Sequence, residues 1–221
     1  MKLIFRKYKQ PLLFLLFLVL PYCCFAHNVN YAMEKAPPNE VAGYYLKLGI
    51  EHIIPYGIDH ILFVVALCLL NRKLKTILWQ ATAFTVAHSI TLALSMKDII
   101  VLPSSIVEPI IALSIVFVAV ENILFSELKP WRVGIVFLFG LIHGLGFASV
   151  LNEIGLPPNQ FFLSILAFNV GVEIGQLIVI ALVFALLIIP FGKRKLYRRA
   201  IVFPFSIGIA LVALWWTVER I

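Results

Sequence analysis

Six apolar stretches follow one another along the chain, at about 47–70, 76–96, 105–125, 132–151, 161–190 and 200–218. A helix needs about 20 apolar residues to cross a hydrocarbon layer about 30 Å thick. The pattern therefore predicts an all-α fold: a polytopic transmembrane helix bundle of six spans, with 47–221 as one membrane domain. The fifth stretch exceeds what a bilayer requires, so it tilts or overhangs. A further apolar run, "PLLFLLFLVL", stands near the N-terminus behind Lys2, Arg6, Lys7 and Lys9 and ahead of the small residues in "CCFA". That order predicts a cleaved signal peptide over 1–26. Residues 27–46 then read as a short external lead-in.

The loops carry charge in a pattern that orients the spans. Arg72, Lys73 and Lys75, then Lys129 and Arg132, then Lys193, Arg194, Lys195, Arg198 and Arg199 put ten basic residues on alternate loops. The other side has four: Lys35, Lys47, Lys97 and Arg220. Basic loops stay cytoplasmic, which predicts both mature termini outside the inner (plasma) membrane. Signal cleavage requires the same orientation.

Composition agrees with a membrane class: 62% of residues are hydrophobic and 13% charged, against about a quarter charged in soluble domains. The formal charge of +7 falls to +3 once the signal is removed, because fourteen basic residues then face eleven acidic ones. The basic residues are thus topology determinants, and nucleic acid is not expected as a partner. Cleavage also removes Cys23 and Cys24, leaving Cys68 alone, so neither an intrachain disulfide nor a thiol metal cluster is expected.

Polar groups recur inside the spans at similar depth. The first has Asp59 and His60; the second has Thr85, His88, Ser89 and Thr91; the fourth has His143; the fifth has Asn169, Glu173 and Gln176 on one helix face. Such groups are costly in lipid, roughly 2.5–3.5 kcal/mol per charge at the centre of a span, so they gather in the bundle interior. A single intramembrane histidine is usually an interhelical hydrogen-bonder. Three of them with two carboxylates at one depth point instead to a shared metal or proton site. Imidazole and carboxylate suit Ni, Co or Zn. Asp59, His60, His88, His143 and Glu173 are the expected metal ligands, and His52, Asn169, Gln176, Glu108 and Thr85 the further polar lining. His27, at the new N-terminus, offers an imidazole and an α-amine for chelation. Glu121 and Asn122 stand near the inner end of the third span, where they would line an exit path or sit solvated at the interface.

Pro55 and Gly57 predict a kink or break in the first span. Gly140, Gly144 and Ala148 form a row of small residues against which another helix can pack closely. Two segment pairs also look alike, "GIDHILF" with "GLIHGLGF" and "AFTVAHSI" with "AFNVGVEI". The paired spans run in opposite directions by the charge pattern, which is the arrangement of an inverted three-plus-three repeat.

Taken together, "GIDHILF", "AFTVAHSITL", "VEPIIALSIVFVAVEN", "FGLIHGLGFASVL" and "FNVGVEIGQL" resemble the HupE/UreJ family, in particular its second branch, over about 49–176. That resemblance implies a nickel or cobalt permease serving hydrogenase or urease. The family's first-span signature, a His, a Gly and an Asp-His pair, falls on His52, Gly57, Asp59 and His60. His52 stands eight residues before His60 instead of the usual seven, and the proline is displaced, so the resemblance carries Asp59 and His60 over more directly than His52.

The expected function is transmembrane transport of a divalent transition-metal cation, nickel or cobalt first, with zinc, copper or iron also compatible. The ion is substrate; no tightly bound cofactor is expected. Partners are the bilayer, the ion and a metalloenzyme maturation system. One alternative is a membrane-embedded hydrolase, with His60, His88 and His143 holding zinc and Asp59 or Glu173 as base. The absence of H-E-x-x-H and G-x-S-x-G motifs weighs against it. The other alternative is an assembly factor that transports nothing.

Overall fold

The computed structural model describes residues 31–221. The signal peptide read over 1–26, with Cys23 and Cys24, lies outside the described residues, as does His27. What is described is helical: α1 (Pro38–Ile53), α2 (Ile58–Leu70), α3 (Leu74–Ser95), α4 (Ser104–Leu124), α5 (Arg132–Ile154), α6 (Phe161–Val183) and α7 (Phe203–Glu219). A π turn at Phe184–Ile188 and a last turn at Ile189–Phe191 extend α6, and a π turn at Arg198–Val202 leads into α7. Among the described residues five helices are long and apolar enough to cross a membrane, and the pair α1–α2, bent by 68° at its break, passes the same test when its two helices are taken together, which gives five to six candidate spans.

The first span starts earlier than its hydropathy indicates. Residues 38–46, read above as external lead-in, already belong to α1. Pro38 opens the helix, where its missing N–H costs nothing. Val41 and Tyr45 are fully buried, and the Tyr45 hydroxyl donates to the Gly155 carbonyl at 2.7 Å. Asn159 and Gln160 side-chain amides donate to the Glu34 and Ala36 carbonyls, both at 2.9 Å, and tie the preceding chain to the start of α6.

Helices in lipid associate through close packing, because neighbouring apolar surfaces gain little by leaving an equally apolar solvent. Two parallel pairs supply that packing. In one, α1 lies on α6: a Cβ on Gly49 would collide with the Phe168 carbonyl oxygen, and one on Gly171 with the Leu46 carbonyl oxygen. In the other, α5 lies on α3: a Cβ on Gly140 would meet the Phe84 carbonyl oxygen at 2.5 Å and Ala87 Cβ at 2.9 Å, and one on Gly144 would meet the His88 carbonyl. The small-residue row on α5 thus has α3 as its partner. The two pairs lie antiparallel to each other, since Thr85 reaches Gln176 while His88, about one turn on, reaches Asn169, about two turns back. The remaining helices, α4 and α7, pack together beside α2.

The basic loops lie together at one end and serve helix C-termini, whose last carbonyls lack intrahelical partners and attract cations. Arg72 donates to the Gly192 carbonyl, Arg198 to Ile123 at 2.9 Å, and the Tyr197 hydroxyl to Leu69 at 3.3 Å. Arg132 goes further inward than a loop residue would. It is 2% exposed and pairs with Glu121, 3% exposed, at 3.1 Å. Its Nη1 also donates to Asn122, whose own amide donates to the Ala66 carbonyl at 2.8 Å. Glu121 and Asn122 are therefore joined in a closed ion-pair network and do not line an open path.

The close approaches give a direct test. Gly140→Leu and Gly171→Leu should each lower the thermal stability of the detergent-solubilised protein by about 1–3 kcal/mol or prevent folding, as overpacking does. Gly134→Leu and Gly208→Leu, where an added Cβ meets nothing within 4 Å, should leave it nearly unchanged.

Candidate functional site

The site begins at the break in the first span. Pro55 has no N–H, and its ring would clash with the preceding helical turn, so α1 cannot continue through it. Ile54 N–H makes the last regular bond, to Ile50 at 2.8 Å. Tyr56 N–H then reaches Glu51 at 3.3 Å and Gly57 N–H reaches Ile53 at 3.2 Å. Gly57 sits directly behind His52: a Cβ there would collide with the His52 carbonyl oxygen. The chain can double back only because that position lacks a side chain. The outcome is that His52, at the end of α1, and His60, in the first turn of α2, face each other edge-on with ring centroids 4.6 Å apart.

Two further helices complete the cluster. His88 comes from the middle of α3, 6.0 Å from the His52 ring and 6.1 Å from His60. His143 comes from α5, 4.9 Å from His60, with His143 Nδ1 and His60 Nε2 3.4 Å apart. One ring nitrogen from each of His52, His60 and His88 lies within 4.8 Å of the others. Phe63, Phe84, Phe147 and Phe168 surround the imidazoles, the closest being Phe147 at 4.0 Å from His52. His60, His88 and His143 are buried, and His52 is half-buried.

Hydrogen bonds fix which nitrogens are free. Asn169 donates its amide to the Ile165 carbonyl at 2.8 Å, so its Oδ1, 3.1 Å from His88 Nδ1, must accept. His88 therefore carries its proton on Nδ1 and leaves a lone pair on Nε2, which has no hydrogen-bond partner. Ser114 has one hydroxyl proton and donates it to the Ile111 carbonyl at 2.6 Å. Its oxygen accepts from His143 Nε2 at 2.9 Å, so His143 Nδ1 holds the lone pair facing His60. His52 Nε2 is likewise buried without a partner. A histidine whose second nitrogen is held by an amide or hydroxyl is the usual arrangement of a metal ligand. These neutral, oriented imidazoles with unused nitrogens can accept a divalent ion.

A cavity of about 440 Å³ leads to the cluster from the end opposite the basic loops. His52, His60 and His143 line its inner part, while Glu51, Tyr56, Asp59, Glu108 and Arg220 stand among its outer residues. Of the three carboxylates there, Asp59 pairs with Arg220 and Glu51 with Lys47 at 3.6 Å; carboxylates at the opening favour cations.

The structure thus brings together His60, His88 and His143, and adds His52, which the sequence placed only in the polar lining. Asp59 points elsewhere, bonded to Arg220 at 2.7 Å and 3.4 Å. Glu173 stays outside the imidazole cluster too. It lies a turn beyond Asn169 on α6, where its two oxygens accept from Thr82 at 2.8 Å and Thr85 at 2.5 Å. Gln176 is 3.1 Å from Thr85 and belongs to that second polar group. Glu108 is an exposed member of the cavity opening.

Three participants escaped sequence reasoning. Ser114 is a lone hydroxyl in an apolar span. The phenylalanines read as ordinary membrane-helix residues. Arg220 read as a terminal charge. Only the G-x-x-H spacing of 49–52, shared with 140–143, could have raised His52 to the level of His143.

Comparison with curated proteins and with solved structures gave no match. Residues 28–220 match a protein family described as "HupE / UreJ protein", which covers nearly the whole chain. The polytopic helical fold and the histidines on three of its spans agree with that match, and the chain belongs to the HupE/UreJ family.

Proposed function

We infer that the protein carries a divalent transition-metal cation across the cell's inner membrane, nickel or cobalt foremost, and that it does so as a transporter, not an enzyme. The observation that carries this reading is the pair of unpartnered nitrogens, His52 Nε2 and His88 Nε2, beside His60 at the inner end of an acid-rimmed cavity. A buried polar atom without a partner costs about 1–3 kcal/mol, and an ion bound between the rings would satisfy both nitrogens at once. Imidazole ligands favour nickel, cobalt, zinc, copper or iron over magnesium or calcium.

Tetrahedral ligand nitrogens about 2.0–2.1 Å from a metal stand about 3.4 Å apart. One nitrogen from each of His52, His60 and His88 lies within 4.8 Å of the others, so small ring movements suffice to take an ion. A hydrolytic centre would need a base held beside the ion, and Glu173 is engaged by two threonines outside the imidazole cluster.

Past the histidines, Asn169, Thr85, Gln176, Glu173 and Thr82 form a polar seam between α3 and α6, directed toward the basic end. This seam is the onward route. With the basic loops cytoplasmic, the cavity opens outward and the seam leads in, delivering the ion to metalloenzyme maturation. Each glycine-packed pair takes one helix from each half of the inverted repeat. Gly49 and His52 on α1 stand opposite Phe168 as Gly140 and His143 on α5 stand opposite Phe84. On this reading 49–52 matches 140–143 as well as 57–60 does.

Four outcomes are expected. A reporter fused after Lys195 should read as cytoplasmic; an external reading would reverse the route. His60→Ala should abolish uptake of nickel and cobalt into vesicles while abundance stays near normal, because polar contacts between membrane helices average only about 0.6 kcal/mol. Asn169→Ala and Ser114→Ala, which free the rings of His88 and His143, should weaken metal binding about 10–100-fold, as loss of such partners does elsewhere. Glu173→Gln keeps the contacts of the seam but removes its titratable charge. It should suppress uptake driven by a pH gradient while metal binding at the histidines survives; full uptake would remove Glu173 from the route.

A further inference from the structure

We propose that Arg220 is a tethered competitor for the transported cation, holding Asp59 at the cavity opening until an incoming ion displaces it. The inference rests on the transport reading above and adds to it a residue that restrains loading.

Arg220 lies one residue past the end of α7. Its Nη1 is 2.7 Å from Asp59 Oδ2 and its Nη2 3.4 Å from Oδ1, a forked contact with both side chains about one-quarter exposed. Among the described residues Arg220 is the one guanidinium or ammonium group lining this cavity; its charged neighbours there are Glu51, Asp59 and Glu108. A fixed positive charge at the mouth of a cation path opposes the cargo. A movable one does something different: it neutralises the carboxylate next to His60 and excludes weakly attracted ions, yet yields to a divalent ion that His60 and its neighbours also bind.

The guanidinium also has somewhere to go. It stands 5.3 Å from the centre of the Trp216 ring, one turn back on α7. A cation over an indole face is stabilised, so swinging off Asp59 leaves Arg220 with a partner. The backbone anchor does not have to move, because Arg220 N–H remains bonded to Trp216 O at 3.0 Å. Asp59 is meanwhile set free next to His60 in the cavity lining.

An ion pair that stands off the ion's path leaves binding unchanged when broken, whereas removing a competitor strengthens binding. A unit charge about 6 Å from a divalent ion in a water-like surrounding changes affinity about tenfold.

The test uses the full chain in nanodiscs of zwitterionic phosphatidylcholine, titrated calorimetrically with two probes. Ni²⁺ reads the whole site. Hexaamminecobalt(III) has an inert inner shell that imidazole cannot enter, so it reads the opening alone. Arg220→Gln should bind Ni²⁺ about tenfold, and the trivalent hexaamminecobalt about thirtyfold, more tightly than the unaltered protein. Asp59→Asn in the Arg220→Gln background should abolish the gain for hexaamminecobalt, while Asp59→Asn alone, which leaves the Arg220 charge unpaired, should weaken its binding. Arg220→Lys, which keeps the charge but loses the fork, should show a smaller gain, and serves if the glutamine variant unfolds. Equal or weaker binding of hexaamminecobalt by folded Arg220→Gln overturns the proposal, whatever Ni²⁺ does. Tighter hexaamminecobalt binding without Ni²⁺ binding in any variant would uphold the competitor and reject the transport reading instead.

Discussion

A continuous helix from Pro38 to Leu70 would set His52 and His60 about 12 Å apart along its axis, at 1.5 Å per residue. The break between α1 and α2 brings their rings to 4.6 Å, and the rest of the centre depends on that folding back. The break needs two residues acting together. Pro55 stops the ladder, and Gly57 lets the chain pass against the His52 carbonyl. Without the break His52 would not face His60, and the inner end of the cavity would lose one of its imidazoles. The free carbonyls at such a break are tolerated at membrane depth because protein and cavity enclose them.

Orientation of the remaining imidazoles comes from the cheapest groups available. Asn169 and Ser114 each spend a donor on their own helix backbone and present an oxygen to a ring N–H. That arrangement removes any ambiguity of tautomer and leaves lone pairs inside an aromatic box. The cost of burying unpaired nitrogens is borne by packing elsewhere, chiefly the glycine-mediated contacts of α1 with α6 and of α5 with α3. It is no accident of placement that His52 and His143 follow their contact glycines by three residues. The residue whose absent side chain lets two backbones touch also sets how close its histidine comes to the centre.

Much of this was legible in the sequence, and the failures share one cause. Hydropathy finds spans because every backbone group in lipid must be satisfied within a helix. Pro55 and Gly57 announce the break, and His60, His88 and His143 betray a site by their depth. What a single helix cannot reveal is a partner brought from another. Asn169 and Glu173 share a face of α6, yet one turn separates a residue on the imidazole cluster from one on the threonines of α3. Glu121 and Arg132 lie on different helices and in different kinds of sequence, a span end and a basic loop, and they meet as a buried pair. His52 was undervalued because its spacing to His60 has no helical meaning once the helix is broken.

The two arginine–carboxylate pairs then divide the bundle into a movable and a fixed end. Arg132 and Glu121 are almost wholly buried, and three of their polar atoms beyond the contact itself lack hydrogen bonds: Glu121 Oε1, Arg132 Nε and Arg132 Nη2. Removing one partner of such a pair strands a charge at a cost of about 3–5 kcal/mol, so it holds α4 and α5 together at the basic end. Arg220 and Asp59 are partly solvated, where a pair contributes about 0–1 kcal/mol. A contact that weak can exchange with an arriving cation, and a contact as buried as the first cannot. Selective opening at the cavity mouth follows from the difference in solvation between two otherwise similar arginine–carboxylate pairs.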